Sequence, residues 1–260
     1  MVSEATWQAI STIHQVVYPK QAWGDDYADL GLTNSAMIYF ASRAAPLGPA
    51  SAELTTAAFF GFSIDLISQQ IPAAWEIAAP DSIAAARLGI ATRALAPHAD
   101  MATAIVDSLS GVLDGITLGG APMAAAQMAL EMPEDPVARL WHTVTVLREL
   151  RGDRHWAVLA TAGLNGAAAN ALAVATGRQP QGRQKRTGWS DAAWNGALDE
   201  LKTRGWVDAE GTATETGIAA RNQLEAATSR ATVASFDTES LARLVVNEPH
   251  LVALAKALSA

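Results

Sequence analysis

Alanine-rich apolar stretches, cut at intervals by glycine and proline, run the length of this chain, as in PLGPASAELTTAAFFG (46–61) and GLNGAAANALAVATG (163–177). Alanine has the highest helix propensity, and the β-branched runs that would favour strands are few. Glycine and proline at segment ends stop helices. The chain is therefore expected to be mainly α. Half of its residues are hydrophobic and 17% are charged, and at 260 residues it is long enough for one large domain or two small ones.

The breaks set the register. Ser3 is placed to cap a first helix that ends before Pro19, with Trp7, Ile10, His14 and Val17 on its apolar face. Further helices are predicted over 33–45, 50–70, 81–96 and 99–113. The glycine-rich DGITLGGAP and a short Met/Ala-rich helix follow. Asp135-Pro136 is a strong helix start, with an N-cap followed by proline at the first helical position. That helix is expected to reach Arg151, where Gly152 stops it and Asp153 caps the next helix, over 154–162. On this reading the Arg-Gly-Asp triplet 151–153 is punctuation between helices, not an adhesion signal or an active-site loop.

The remaining segments read as a helix-turn-helix. Helices over 154–162 and 167–176 flank Gly163-Leu164-Asn165-Gly166, and a third helix is predicted over 191–204. Ser190 is its N-cap, Trp189 and Trp194 form a hydrophobic staple around its start, and Gly205 ends it. WVDAEGTAT (206–214) is expected to form a β-hairpin wing, and Thr214 to open a long closing helix. An internal repeat is also legible. Residues 39–58 align with 156–175, and Trp75 falls opposite Trp194. The fold expected is thus two tandem winged-helix-like halves with a small hairpin wing in the second. The divisions are 1–115 (a degenerate helical half), 116–135 (a connection) and 136–260.

RAAPLGP, LWHTVTVLRELRGDRHWA and GWSDAAW with LKTRGW carry a resemblance to a SalK-like actinobacterial family with a helix-turn-helix domain. LDELKTRGWVDAEGTATETGIAA resembles a MarR-type winged helix. Neither resemblance implies a settled activity, since winged helices are also reused as dimerisation modules.

Composition bounds the chemistry. The net charge of −8 works against nonspecific attraction to nucleic acid, and the absence of cysteine removes disulfides and thiolate chemistry. No signal-peptide pattern opens the sequence and no apolar run approaches a membrane span, so a cytoplasmic protein without a membrane partner is expected. The five histidines lack metal-ligand spacing, and no metal site is expected. No GxGxxG, P-loop or GxSxG motif appears, so no cofactor or reaction is named.

Two functional surfaces remain. Arg178, Arg183, Lys185, Arg186 and Lys202, with Asn195, make a locally basic patch beside the third helix, the arrangement DNA phosphates require. Against this, Asp191 and Asp199 share that helix's outer face. His14, Tyr18, Arg43, Glu53, Trp75, His142, Arg148 and His155 are the candidate ligand-binding residues of a pocket between the halves. Arg148 either grips an anion or extends to solvent, and Arg151 either joins it or binds the last carbonyls of its own helix. The reading is a small-molecule-responsive regulator or ligand-binding protein, either a pseudo-symmetric monomer or a homodimer. The alternative is an enzyme of specialised metabolism on the same scaffold, with His14, Arg43, Glu53, His142, Arg148 and His155 as its candidates.

Overall fold

A computed structural model describes residues 2–259. The first half contains α1 (Glu4–His14), α2 (Asp26–Asp29), α3 (Ser35–Ala44), α4 (Ala52–Phe59), α5 (Ile64–Ser68), α6 (Ala73–Ile77), α7 (Pro80–Leu95) and α8 (Ala99–Ser108). Then come α9 (Pro122–Met128), α10 (Pro136–Thr161), α11 (Gly166–Ala175), α12 (Arg183–Arg186) and α13 (Asp191–Thr203). The chain closes with α14 (Glu215–Val233), α15 (Thr238–Val246) and α16 (Glu248–Ala257). The architecture is mainly α, as expected. The predicted caps are in place: the side chains of Ser3, Asp135, Ser190 and Thr214 each accept a backbone N–H of the first turn they precede.

Three local expectations fail, each for a physical reason. First, Gly152 and Asp153 do not break a helix, because α10 runs unbroken through them for 26 residues. Glycine inside a helix costs about 1 kcal/mol relative to alanine, less than the burial of Leu147, Leu150 and Leu159 on either side contributes. Second, the wing is not a β-hairpin. Among the described residues there are no strands, and 206–214 is a tight turn held by one antiparallel bridge between Val207 and Ala213. Its Thr214 N–H donates to the Trp206 carbonyl, and Asp208 caps the turn through Thr212 N–H, so too few residues remain to pair. Third, the helix predicted over 50–70 divides into α4 and α5 around Phe60, whose positive φ no β-propensity or helix rule anticipates.

α10 organises the molecule. It packs against α1, α7, α8, α9 and α14. Its N-terminal part, with Val137, Leu140, Trp141, Val144 and Leu147, belongs to a large core that includes α1, α3 and α7. Leu244, Leu251 and Leu254 return from α15 and α16 to the same core. Its C-terminal end, at Leu159, joins a second core with Leu164, Ala168, Leu172, Ala197, Leu201 and Val207. Trp156, Trp189 and Trp194 flank that second core. α10 and α11 meet at 99° across Gly163–Asn165, the crossing a helix-turn-helix requires.

The two cores are joined through residues 60–63. Phe60 stacks on Trp156 at 5.5 Å, and the Gly61 carbonyl accepts from both Asn170 Nδ2 and Trp189 Nε1. Ser63 donates its hydroxyl to the Gly188 carbonyl and its N–H to the Thr187 carbonyl. Gly166 is placed by contact: a Cβ there would collide with the Phe60 carbonyl and lie 2.8 Å from Trp189. Among the described residues no single helix is long and apolar enough to cross a membrane.

Candidate anion-binding junction

The helix period of α3 places Tyr39 and Arg43 one turn apart, and Arg43 reaches toward α10. Arg43 is buried, donates to the Tyr39 hydroxyl at 3.1 Å and lies over the Phe59 ring at 4.2 Å. On α10, Arg148 donates to Glu149 Oε2 at 2.7 Å, and Arg43 approaches the same oxygen at 3.7 Å. Arg183 turns inward from α12, donating through Nε to Asn170 Oδ1 at 2.8 Å and approaching the Phe62 ring. Burial alone would raise the Tyr39 phenol, but Arg43, Arg148 and Arg183 outweigh it and hold its pKa below the usual tyrosine value. Glu149 shows the same balance: burial pushes it up, and Arg148, Arg43 and Arg87 bring it below the usual glutamate value.

Behind this cluster lies a polar relay. Arg87, from the middle of apolar α7, donates to the Ser42 carbonyl at 2.9 Å and to the Tyr18 hydroxyl at 3.0 Å. The Tyr18 hydroxyl lies 3.0 Å from His14 Nε2, and His14 Nδ1 lies 3.0 Å from Thr145 Oγ1. His14 thus bridges the Tyr18 and Thr145 hydroxyls through its two ring nitrogens, one donating and the other accepting. Burial, then Arg148, Arg87 and Arg43, hold the His14 pKa well below its ordinary value, so the ring is neutral.

A cleft of about 410 Å³ opens beside the cluster, lined by Trp7 and Ser11 of α1, Arg148, Arg151, Gly152 and His155 of α10, and Arg178 and Arg221. A smaller recess of about 90 Å³ shares His155, Trp156, Gln179 and Arg221 with it and reaches Arg183 and Gly61. Arg151 does not bind the end of its own helix, because α10 continues past it. It pairs instead with Glu225 at 2.8 Å, which Arg221 also approaches at 2.6 Å. His155 Nδ1 lies 2.9 Å from Thr228 Oγ1, whose own proton goes to the Leu224 carbonyl. His155 therefore donates through Nδ1 and leaves Nε2 an acceptor. Burial outweighs Glu225 and lowers its pKa to about 4.

Around the junction stand Arg43, Arg87, Arg148, Arg151, Arg178, Arg183 and Arg221, against Glu149, Glu225 and, at the rim, Glu4. Seven positive groups face three negative ones in a protein of net charge −8. Such an excess beside stacked aromatic rings matches an organic anion.

The ligand candidates divide accordingly. Arg148 and His155 line the cleft, and Arg43, Tyr18 and His14 form the layer behind it. Glu53 lies on the surface in the first turn of α4, and Trp75 is spent on the Ala50 carbonyl. His142 lines a different cavity. Of the DNA candidates, Lys185 and Arg186 are exposed on α12, Asn195 and Lys202 on α13, and Arg178 lies at the cleft. Arg183 is held inside the junction. Lys202 is paired with Asp199 at 3.3 Å, and Asp191 is exposed on the same outer face of α13. Tyr39, Arg87, Asn170, Arg221 and Glu225 were not singled out from the sequence. The one signal for them was charge within an apolar helix, at Arg87.

Helices meeting at about a right angle, followed by a capped third helix, define a helix-turn-helix protein. A family model described as a helix-turn-helix family matches residues 3–259, so the chain belongs to that family. No curated protein and no solved structure matches the chain. No group of His, Asp or Glu side chains fit to hold a metal occurs among the described residues.

Proposed function

We propose that the chain is a small-molecule-responsive helix-turn-helix regulator whose effector is a flat organic anion, an aromatic carboxylate or phosphate ester, held at the junction. The observation that carries this reading is the buried arginine excess around Tyr39 and Glu149. An anion in the cleft beside that cluster would touch α1, α10, the 176–182 loop and α14 together. It would thereby bias the position of α12 and α13, which hang from that loop. The kinship with SalK-like and MarR-type proteins suggested by the sequence belongs to this reading. So does the tandem arrangement read from the alignment of residues 39–58 with 156–175.

One observation favours a second reading, a ligand-binding protein or enzyme that keeps the scaffold without DNA. The outer face of α13 carries Asp191 and Asp199 where a recognition helix needs cations. Fluorescence anisotropy with the gene's own upstream DNA at about 50 mM salt separates the two, because phosphate contacts are strongest there. DNA binding that 1-naphthoate or phenyl phosphate shifts supports the regulator. Absence of DNA binding at micromolar protein with anion binding retained supports the second reading. Binding of neither removes both.

A further inference from the structure

About two turns toward the N-terminus of α10 from the junction, on nearly the same face, α7, α9 and the segment after α9 enclose a cavity of about 460 Å³. Its walls are apolar, from Pro46, Ala84, Leu88, Leu130 and Trp141. Two buried side chains of its lining have polar atoms without partners, Arg87 Nε and His142 Nε2, each covered in this structure. Gln127 Nε2 lies 3.4 Å from His142 Nδ1 and donates to it, so Nε2 carries the ring proton. Burial lowers the His142 pKa, and the ring is neutral. Both orphan atoms are therefore donors, and a buried donor left unmade is costly. At the mouth of the same cavity stand two exposed carboxylates, Asp81 and Glu131.

We propose that this cavity is a second binding site, for a flat zwitterion. Small rotations of Arg87 and His142 would turn Nε–H and Nε2–H to the ligand's carboxylate, its ring would lie against Trp141 and Leu88, and its ammonium would reach Asp81 and Glu131. The volume falls within the range of small-molecule sites, and the pattern of a few fixed polar groups in an apolar cleft is theirs as well. The site is separate from the junction, yet shares one element with it. Arg87 also donates to Tyr18, which leads to His14 and Thr145, so occupancy here pulls on the relay behind the junction.

The test is calorimetric titration of the full chain with 4-(aminomethyl)benzoate, benzoate and benzylamine, alongside nitrogen NMR of the histidine side chains. The zwitterion should bind about tenfold more tightly than benzoate, a difference of about 1.4 kcal/mol. It should also shift His142 Nε2. Asp81→Asn with Glu131→Gln, both on the surface, should erase that advantage while leaving benzoate binding in place. His142→Phe should abolish binding of both at this cavity, leaving only the anion binding of the junction. Equal affinity for zwitterion and benzoate, or an advantage that survives the double variant, overturns the proposal. A shift at His155 with none at His142 also overturns it, and assigns the anion to the junction instead.

Discussion

Asp153, in the middle of α10, accepts the backbone N–H of Ala124 at 3.0 Å, and so caps α9 from a distance of 29 residues in sequence. The residue expected to cap its own helix caps another. Burial pushes its carboxyl up to about 7, with the Ala124 N–H pulling back and Glu149 adding to the rise. A carboxyl whose folded pKa exceeds its unfolded value of 3.8 stabilises the fold in its protonated form. That contribution is full below the unfolded pKa and is lost as pH rises through 7. Asp153→Asn keeps an acceptor for Ala124 but cannot ionise. Urea denaturation should show wild-type stability falling by about 2–4 kcal/mol between these limits, and the variant losing most of that slope.

Glu149 is the carboxylate that Arg43 and Arg148 share. Glu149→Gln leaves both guanidiniums short of an anion and should cost about 3 kcal/mol, as removal of one partner of a buried pair does. The same change removes the group that competes with an incoming anion. Added 1-naphthoate should therefore raise the melting temperature of Glu149→Gln by more than that of the wild type. Equal shifts would place the anion elsewhere.

Gly166 and Gly196 make a paired test of close approach. Gly166→Ala drives a methyl into the Phe60 carbonyl and should cost about 1–3 kcal/mol or more. Gly196, on the exposed face of α13, has nothing within 4 Å of where its Cβ would stand. Gly196→Ala should stabilise by about 0.5–1 kcal/mol through helix propensity. Thermal melts of the two single variants check both signs.

If DNA is bound, Lys185 and Arg186 are the cations free to meet phosphate. Replacing both with alanine should lower the slope of log affinity against log salt by about 1.8, or 0.9 per contact. Arg183→Ala should leave that slope unchanged and weaken anion binding instead, because its guanidinium is committed to Asn170 and the junction.

What was legible in the sequence was mostly local. Side-chain caps at Ser3, Asp135, Ser190 and Thr214 act within one turn, so spacing alone reveals them. The outer face of α13 followed from helical period, with Asp191, Asn195, Asp199 and Lys202 exposed. Gly152 misled because propensity speaks for an isolated segment, whereas burial of the flanking leucines decided the outcome. Arg183 misled for a related reason: a charged run reads as solvated until a distant Asn170 and Gly61 are brought beside it. Tyr39, Arg87 and Glu149 converge from α3, α7 and α10. That meeting depends on tertiary packing, which periodicity does not encode.

The unbroken α10 has a consequence for how the molecule comes apart. At 1.5 Å per residue its 26 residues form a rod about 39 Å long, anchored at one end in the large core and at the other in the small one. Neither core can melt without freeing its half of the shared rod, so heat should dissolve both in one cooperative transition. The calorimetric and van't Hoff enthalpies should then agree. A chain that reads as two halves would behave in the calorimeter as one.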